Sequence, residues 1–132
     1  MSDFAISVKA FVVNSGKLLL IKRVANNPHK PGAWEVPGGR LGLGEDPFEG
    51  LKRETKEETG IEIEVKNPLR VHHLTRADGQ IITMITFFCT ASNQEVVLSE
   101  EHDEFLWIDV ERAKEVIHPA YYEDVDNLLR FI

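Results

Sequence analysis

The chain has 132 residues, of which 42% are hydrophobic and 28% are charged, and it carries a net charge of −7. These values are typical of one folded domain, residues 1–132, and exclude a wholly disordered chain. A protein that binds duplex nucleic acid usually carries a basic stripe. The sequence has no such stripe, so we expect no nucleic acid duplex as a partner.

The amino-terminal residues lack the basic start and the long apolar segment of a secretory signal. No apolar run approaches the roughly 20 residues that cross a bilayer, so we expect no membrane partner. Cys89 is the only cysteine, which rules out an internal disulfide and suits a reducing compartment. Together these features predict a cytoplasmic protein.

Three strands are predicted before the first helix, because these segments are rich in β-branched, aromatic and other apolar residues. They are residues 4–14, residues 17–24 and a short strand at residues 34–36. A turn at residues 14–16 joins the first two strands. Residues 25–32 contain asparagines and prolines and are predicted to form a loop.

A helix is predicted from residue 47 to residue 60. Asp46 can cap its amino terminus, and Gly60 is a natural stop. Phe48, Leu51 and Thr55 fall on one stripe of this helix, because residues three and four apart lie on the same face. We expect this stripe to face the core.

The second half of the chain mixes strands with helices. The predicted strands are residues 61–76, 80–90 and 105–108, and the predicted helices are residues 109–117 and 119–131. Asp78-Gly79 is a strong signal for a two-residue hairpin turn. Residues 81–89 are apolar on both faces, so their strand should lie inside the sheet. The whole pattern predicts an α/β sandwich with a sheet between helices.

Acidic residues gather on one side of the predicted helix, at Glu54, Glu57 and Glu58. Glu54 and Glu58 are like charges four residues apart, and Glu57 and Glu58 lie in the last turn, where the helix dipole favours cations. Because the like-charge repulsion and the unfavourable helix dipole would both be relieved by positive charge, we expect a cation as the missing partner of these carboxylates. Carboxylate oxygens suit Mg²⁺ or Mn²⁺. The alternative is a solvated acidic surface that is balanced by Lys52, Arg53 and Lys56.

A glycine-rich turn precedes this helix. Pro37, Gly38 and Gly39 allow tight backbone geometry and the close approach of a ligand. Such a turn can bring a backbone carbonyl and the glutamate carboxylates to one metal ion. The sequence lacks the GxxxxGK(S/T) phosphate loop and the GxGxxG dinucleotide fingerprint, which excludes those two nucleotide-binding motifs.

Residues 39–61 read GRLGLGEDPFEGLKRETKEETGI. This segment resembles the Nudix box, G-x5-E-x7-R-E-U-x-E-E-x-G-U, in which U is a bulky apolar residue. Every fixed position matches except the first U, where Thr55 stands and can weaken the packing of the helix. The resemblance implies an α/β/α sandwich of the Nudix type with a mixed central sheet. It also implies an enzyme that hydrolyses a diphosphate linkage in a nucleotide.

The resemblance implies a metal site as well. Glu54, Glu57 and Glu58 would hold one or more Mg²⁺ ions, and Mn²⁺ can take the place of Mg²⁺. The backbone carbonyl of Gly38 is a candidate for a further ligand. None of these positions is affected by the departure at Thr55.

Arg53 would orient a catalytic glutamate, and a contact with Glu57 at i, i+4 is geometrically available. Glu45 would lie next to the metal or contact it. The catalytic base is open between Glu54 and a residue of the charged loop at residues 100–104. In that loop Glu101 fits best by its spacing to the following tryptophan, and Glu104 is second. The alternative for the whole loop is an ordinary charged surface, since loops are normally polar.

Arg23 and Gly39 are the candidate substrate-binding residues. Arg23 ends a predicted strand and could contact a phosphate or a base, although a surface cation is an equal alternative. The expected substrate is a nucleoside triphosphate or a related nucleoside diphosphate derivative. His29, His102 and His118 show no spacing typical of metal ligands.

Three other functions remain open. The first is an ADP-ribose or nucleotide-sugar pyrophosphatase, although residues 75–78 lack the proline that some ADP-ribose-hydrolysing members carry past the box. The second is a non-catalytic nucleotide-binding domain with the same fold, and the third is a diphosphate isomerase. A homodimer is also left open by the sequence.

Overall fold

The computed structural model describes residues 4–28 and 30–132, so His29 and residues 1–3 lie outside the described residues. Seven strands in the described part form one sheet. They are β1 (Phe4–Asn14), β2 (Lys17–Arg23), β3 (Trp34–Glu35), β4 (Gly38–Arg40), β5 (Ile63–Thr75), β6 (Ile81–Ala91) and β7 (His102–Asp109). No helix in the described ranges is long and apolar enough to cross a membrane.

Strand β1 lies at the centre of the sheet, whose order is β3-β2-β1-β6-β5. β1 runs parallel to β6 and antiparallel to β2 and β4, while β7 pairs with β2. β6 lies between β1 and β5, which confirms the interior position predicted for this apolar segment. The sheet is therefore mixed, as the resemblance implied.

Helices cover both faces of the sheet. Helix α1 (Pro47–Thr59) packs on one face. Helix α2 (Tyr122–Leu128) and two 3-10 turns, Val110–Glu115 and Pro119–Tyr121, pack on the other. Because successive residues of a strand point to opposite faces, β1 supplies both cores: Val8, Ala10 and Val12 pack on the α1 side, and Phe11 and Val13 pack on the α2 side. The predicted α/β/α sandwich is confirmed.

The carboxyl-terminal region differs from its prediction. Residues 109–117 form a 3-10 turn rather than an α-helix, and the next α-helix covers Tyr122–Leu128 rather than residues 119–131. Pro119 disfavours the helical conformation at His118, which is extended at ψ 135°. The amide of His118 donates instead to the Trp34 carbonyl at 2.9 Å.

Two turns also differ from their predictions. The loop of the hairpin between β5 and β6 is longer than the predicted two residues. The Arg76 amide donates to the Gln80 carbonyl, so residues 77–79 lie between the paired positions, and Gly79 adopts a φ of 88°. The glycine-rich turn includes the short strand β4, which pairs with β1. The sequence did not predict this strand, because it contains none of the β-branched residues that favour strands. Its pairing with the backbone of β1 holds it in place.

Helix α1 begins and ends as predicted. Asp46 accepts a hydrogen bond from the Phe48 amide at 3.0 Å, and Gly60 closes the helix at a φ of 73°. Leu51 and Thr55 are fully buried, whereas Phe48 remains half-exposed with its ring against Phe87. The stripe therefore faces the core along only part of its length.

Thr55 carries a buried hydroxyl that has no hydrogen-bond partner among the residues that the structure describes. Leaving a buried hydroxyl unpaired costs about 1–3 kcal/mol. We expect Thr55→Val, which keeps the shape of the side chain, to raise the free energy of unfolding by about 1 kcal/mol. Denaturant unfolding followed by circular dichroism measures this change.

Thr59→Val is the matched control on the same helix. The Thr59 hydroxyl donates to the Thr55 carbonyl at 2.7 Å and accepts from the Ile61 amide at 3.2 Å. Valine at this position should therefore lower the free energy of unfolding by about 1 kcal/mol. Equal effects of the two substitutions would contradict the assignment of an unpaired hydroxyl to Thr55.

Candidate active site

The glycine-rich turn lies between strand β1 and helix α1, and it contacts both of them. A Cβ atom on Gly39 would lie 2.6 Å from the Glu54 Oε2, and one on Gly38 would lie 2.1 Å from the Val8 carbonyl oxygen. Gly38 also has a φ of 147°, which favours glycine. Gly38 thus allows β4 to lie close to β1, and Gly39 leaves room for the Glu54 carboxylate beside β4.

The backbone polar groups of Gly38 point towards helix α1. In an antiparallel pair alternate residues bond to the partner strand. Pro37 accepts from the Ala10 amide at 2.8 Å, so the following residue, Gly38, presents its amide and carbonyl away from β1. The Gly38 amide donates to the Glu58 Oε1 at 2.8 Å. The Gly38 carbonyl lies on the same side of the strand as this amide.

Arg53 contacts three carboxylates. Its Nε and Nη2 donate to the two oxygens of Glu45 at 2.7 and 3.0 Å, and its Nη1 donates to the Glu57 Oε1 at 3.0 Å. Its Nη2 also lies 3.3 Å from the Glu54 Oε1. The predicted i, i+4 contact between Arg53 and Glu57 is therefore present. The hydrogen bonds from Arg53 and from the Gly42 amide lower the pKa of Glu45 to about 2.

Two of the clustered glutamates hold their protons more tightly than an ordinary carboxyl. Burial raises the pKa of Glu58 to about 7, although Lys9 and the Gly38 amide oppose the rise. Burial also raises the pKa of Glu54; the charge of Arg53 opposes this shift, and the charge of Glu57 adds to it. The nearby cations Lys9 and Arg53 thus do not fully offset the cost of burying the two ionised carboxylates.

The donor set fits a hard divalent cation, because all of the candidate ligands are carboxylate or carbonyl oxygens. Among residues 4–28 and 30–132, no three histidine, cysteine, aspartate or glutamate side chains are already gathered as a metal site. Glu57 is held by Arg53, and Glu58 is held by the Gly38 amide. Metal binding would therefore require the side chains of α1 to exchange these partners.

The loop before β7 is attached to the carboxyl end of helix α1. The Val97 amide donates to the Thr59 carbonyl at 2.9 Å, and the Ser99 amide donates to the Glu58 carbonyl at 3.1 Å. This attachment brings the predicted loop towards the acidic cluster.

The structure places Glu101 and Glu104, the two candidates of the charged loop, in different surroundings. Burial and the charge of Glu57 are the larger causes of the raised pKa of Glu54, and the charge of Glu101 adds a smaller repulsion. Glu104 instead pairs with Lys22 at 3.1 Å on the surface of the β2–β7 pair. Of the two loop candidates, Glu101 is the one whose charge acts on the pKa of Glu54.

A buried carboxylate, Glu35, lies at the centre of a network that was not predicted from the sequence. Arg23 donates to it through Nε at 2.8 Å and through Nη2 at 3.1 Å, and the Lys9 Nζ donates to it at 3.1 Å. The His102 Nε2 lies 2.8 Å from the Glu35 Oε2. Burial would raise the pKa of Glu35, but Lys9, His102 and Arg23 outweigh it and hold the pKa well below its usual range.

Arg23 is therefore anchored from inside the protein rather than placed on the surface as an isolated cation. A signal for this network exists in the sequence. Lys9 is the one charged residue within the apolar run of β1, and Glu35 stands between Trp34 and Val36. A charge inside a strand that is otherwise apolar needs a buried partner.

Comparisons with known proteins agree on one family. A sequence model described as the NUDIX domain matches residues 3–128. A MutT-like protein of Streptomyces ambofaciens is 35% identical over 118 residues, which cover 89% of this chain and 71% of that protein. The nucleoside triphosphatase NudI of Enterobacter sp. (strain 638) is 32% identical over 109 residues, which cover 74% of this chain and 76% of that protein.

Solved structures give the same result. The crystal structure of a MutT protein from Methanosarcina mazei Go1 superimposes with a TM-score of 0.82 at 32% identity. The superposition covers 97% of this chain and 92% of that one. The similarity thus extends over nearly the whole fold and is not confined to the box.

The raised pKa of Glu58 predicts a pH-dependent stability. Its folded-state pKa of about 7 lies above the ordinary value of 4.5, so the stabilisation that the protonated form provides is complete below pH 4.5 and is lost as the pH rises through 7. In a chelator, Glu58→Gln should therefore gain stability relative to the wild type between pH 5 and pH 8. The gain should be on the order of 3 kcal/mol.

Thermal unfolding of both proteins across this pH range measures the difference. Glu62→Gln is the control, because Glu62 is exposed and its ion pair with Lys56 contributes little, so its stability should stay within about 0.5 kcal/mol of the wild type. A difference as small for Glu58→Gln across the pH range would contradict the raised pKa of Glu58.

Proposed function

The chain belongs to the NUDIX family of hydrolases, and we propose that it hydrolyses a diphosphate linkage in a nucleotide with the help of a divalent metal ion. One observation carries this proposal. The Glu58 carboxylate accepts from the Gly38 amide at 2.8 Å, and the Glu54 carboxylate lies where a Cβ atom on Gly39 would stand. The carboxylates of α1 thus lie beside the backbone of β4, and carboxylate and carbonyl oxygens are the ligands that a hard cation prefers.

Glu54, Glu57 and Glu58 would hold the ion, with the Gly38 carbonyl as a further ligand. Mg²⁺ is the proposed ion, and Mn²⁺ is an alternative with the same preference for oxygen. When bound, such an ion offsets the charge of a diphosphate and makes water a better nucleophile. The positive charge also favours the ionised forms of Glu54 and Glu58, whose pKa values are raised without it.

Glu101 is the proposed catalytic base. A base must come within hydrogen-bond reach of the water whose proton it removes, and Glu101 lies in the loop that is fastened to the end of α1. Glu54 remains the second candidate, because its carboxylate is part of the same cluster. Arg53 would keep Glu57 and Glu54 oriented through its contacts at 3.0 and 3.3 Å.

The proposed substrate is a nucleoside triphosphate or a related nucleoside diphosphate derivative. Relatives named as nucleoside triphosphatases support this choice over ADP-ribose or a nucleotide sugar. Arg23 is the proposed substrate contact, and two hydrogen bonds to Glu35 hold its guanidinium group in place. Gly39 would let the substrate approach the backbone closely. The cytoplasmic location and the homodimer stay predictions from the sequence.

A nucleotide panel with identified products tests the activity. Nucleoside triphosphates, ADP-ribose and nucleotide sugars are incubated with Mg²⁺. From at least one triphosphate we expect either a nucleoside monophosphate with pyrophosphate or a nucleoside diphosphate with phosphate. Glu57→Gln or Glu58→Gln should lower kcat at least about 100-fold without loss of the fold, because each removes a charged metal ligand.

Glu49→Gln is the matched control, since Glu49 lies on the exposed side of the same helix and pairs with Lys52 at 3.5 Å. Its kcat should stay within about 2-fold of the wild type, because exposed ion pairs contribute little. Near-normal kcat in both Glu57→Gln and Glu58→Gln would refute the proposed function. Binding of nucleotides without any turnover would favour the alternative of a non-catalytic nucleotide-binding domain.

Metal binding can be measured apart from catalysis. Titration of the chelator-treated protein with Mn²⁺, followed by isothermal calorimetry, should show saturable binding that Glu54→Gln and Glu58→Gln each weaken at least about 10-fold. Glu49→Gln should bind like the wild type. Equal affinity in all four proteins would place the ion outside this cluster.

A further inference from the structure

We propose that His102 is a positioning residue, which holds the backbone of Glu101 in its catalytic place by a hydrogen bond to the buried Glu35. This inference rests on the proposed function and on Glu101 as the base. It adds a role for two residues, His102 and Glu35, that do not themselves contact the substrate.

Glu101 is exposed, so its position depends on the backbone around it. Its carbonyl accepts from the Val24 amide at 3.1 Å. On its amino-terminal side, the Ser99 amide is held by the Glu58 carbonyl at 3.1 Å. On its carboxyl-terminal side stands His102, whose side chain is only 3% exposed. Glu101 therefore lies between two anchored points, one on helix α1 and one in the core.

The side-chain anchor is needed because the strand begins irregularly. His102 is the first residue of β7 and pairs with Arg23, but the register with β2 shifts between Lys22 and Arg23. The His102 amide reaches the Ser99 carbonyl only at 3.5 Å, which is long for a hydrogen bond. The backbone at this end of the strand thus combines the normal Val24–Glu101 bond with a shifted register and a long contact to Ser99.

The bond between His102 and Glu35 is well defined. It measures 2.8 Å, and both side chains are buried. Because Glu35 is ionised and can only accept, the His102 Nε2 must carry the hydrogen. This fixes the orientation of the ring, and with it the start of β7.

Glu35 connects this anchor with the rest of the site. The same carboxylate holds Arg23 and Lys9, and Lys9 pairs with Gly38 in the β1–β4 register. The loop that bears Glu101, the strand end that bears Arg23 and the strand next to the glycine-rich turn are thereby tied to one buried group. A movement of His102 would shift Glu101 relative to the other two elements.

A double-mutant cycle distinguishes positioning from a general contribution to stability. His102→Ala should lower kcat about 10- to 100-fold and leave KM within about 3-fold, because a displacement of about 1 Å in a catalytic group has effects of this size. If His102 acts through Glu101, adding His102→Ala to Glu101→Gln should lower kcat no more than about 2-fold beyond Glu101→Gln alone. Independent roles would instead multiply the two losses.

Two conservative variants provide a matched pair that also serves if His102→Ala fails to fold. Glutamine can place an amide nitrogen near the position of Nε2, whereas the side chain of asparagine is too short to reach Glu35. His102→Gln should therefore restore kcat to within about 5-fold of the wild type, and His102→Asn should not. Thermal unfolding of both variants shows whether they are equally folded.

Amide hydrogen exchange gives a readout that does not depend on turnover. His102→Asn should speed exchange at the Val24 and Ser99 amides at least about 10-fold, because both hold the loop. Exchange at the Ala10 amide, which bonds to Pro37 in the neighbouring strand pair, should not change.

The outcomes separate the two levels of the proposal. If the wild type hydrolyses no nucleotide, the proposed function fails and the positioning role fails with it. If the wild type is active but the losses of His102→Ala and Glu101→Gln multiply, only the positioning role is overturned. Equal kcat values for His102→Gln and His102→Asn, or a loss below 3-fold in Glu101→Gln, also overturn it.

Discussion

Strand β4 lies beside the carboxylates of helix α1, where a Cβ atom on Gly39 would displace the Glu54 carboxylate, and the arrangement of the candidate site depends on this contact. At this contact the Gly38 amide donates to the Glu58 Oε1 at 2.8 Å. β4 owes its own position to its pairing with β1 at the centre of the sheet. A strand of three residues with little packing of its own thus joins the sheet to the acidic helix.

The acidic face of α1 is unfavourable by itself, and its neighbours offset only part of this cost. Arg53 balances Glu45 and Glu57 on the exposed side, where the balance contributes little to stability. On the buried side, the Gly38 amide and the charge of Lys9 leave the pKa of Glu58 still raised. Proteins often keep such local conflicts at functional sites, because a ligand resolves them.

Local signals predicted most of the fold and the acidic helix, whereas the buried network could not be predicted. Asp46 and Gly60 mark the ends of α1 through contacts within a few residues, and the box spacing places Glu54 and Glu58 on one helix. Glu35, in contrast, binds Lys9 and His102 at separations of 26 and 67 residues. No periodic pattern joins positions so far apart, and the spacing of His102 from other histidines says nothing about a carboxylate partner.

The parallel pairing of β1 with β6 has a consequence for how the chain acquires its fold. Asn14 at the end of β1 bonds to the Ala91 carbonyl, 77 residues further along the chain. Contacts between distant parts of a chain form slowly, because the intervening loop must first be closed. During synthesis the apolar first strand leaves the ribosome long before its parallel neighbour exists. Until then β1 can pair only with β2 and β4 among its neighbours in the sheet, and the edge that β6 will occupy stays open to chaperones or to other chains.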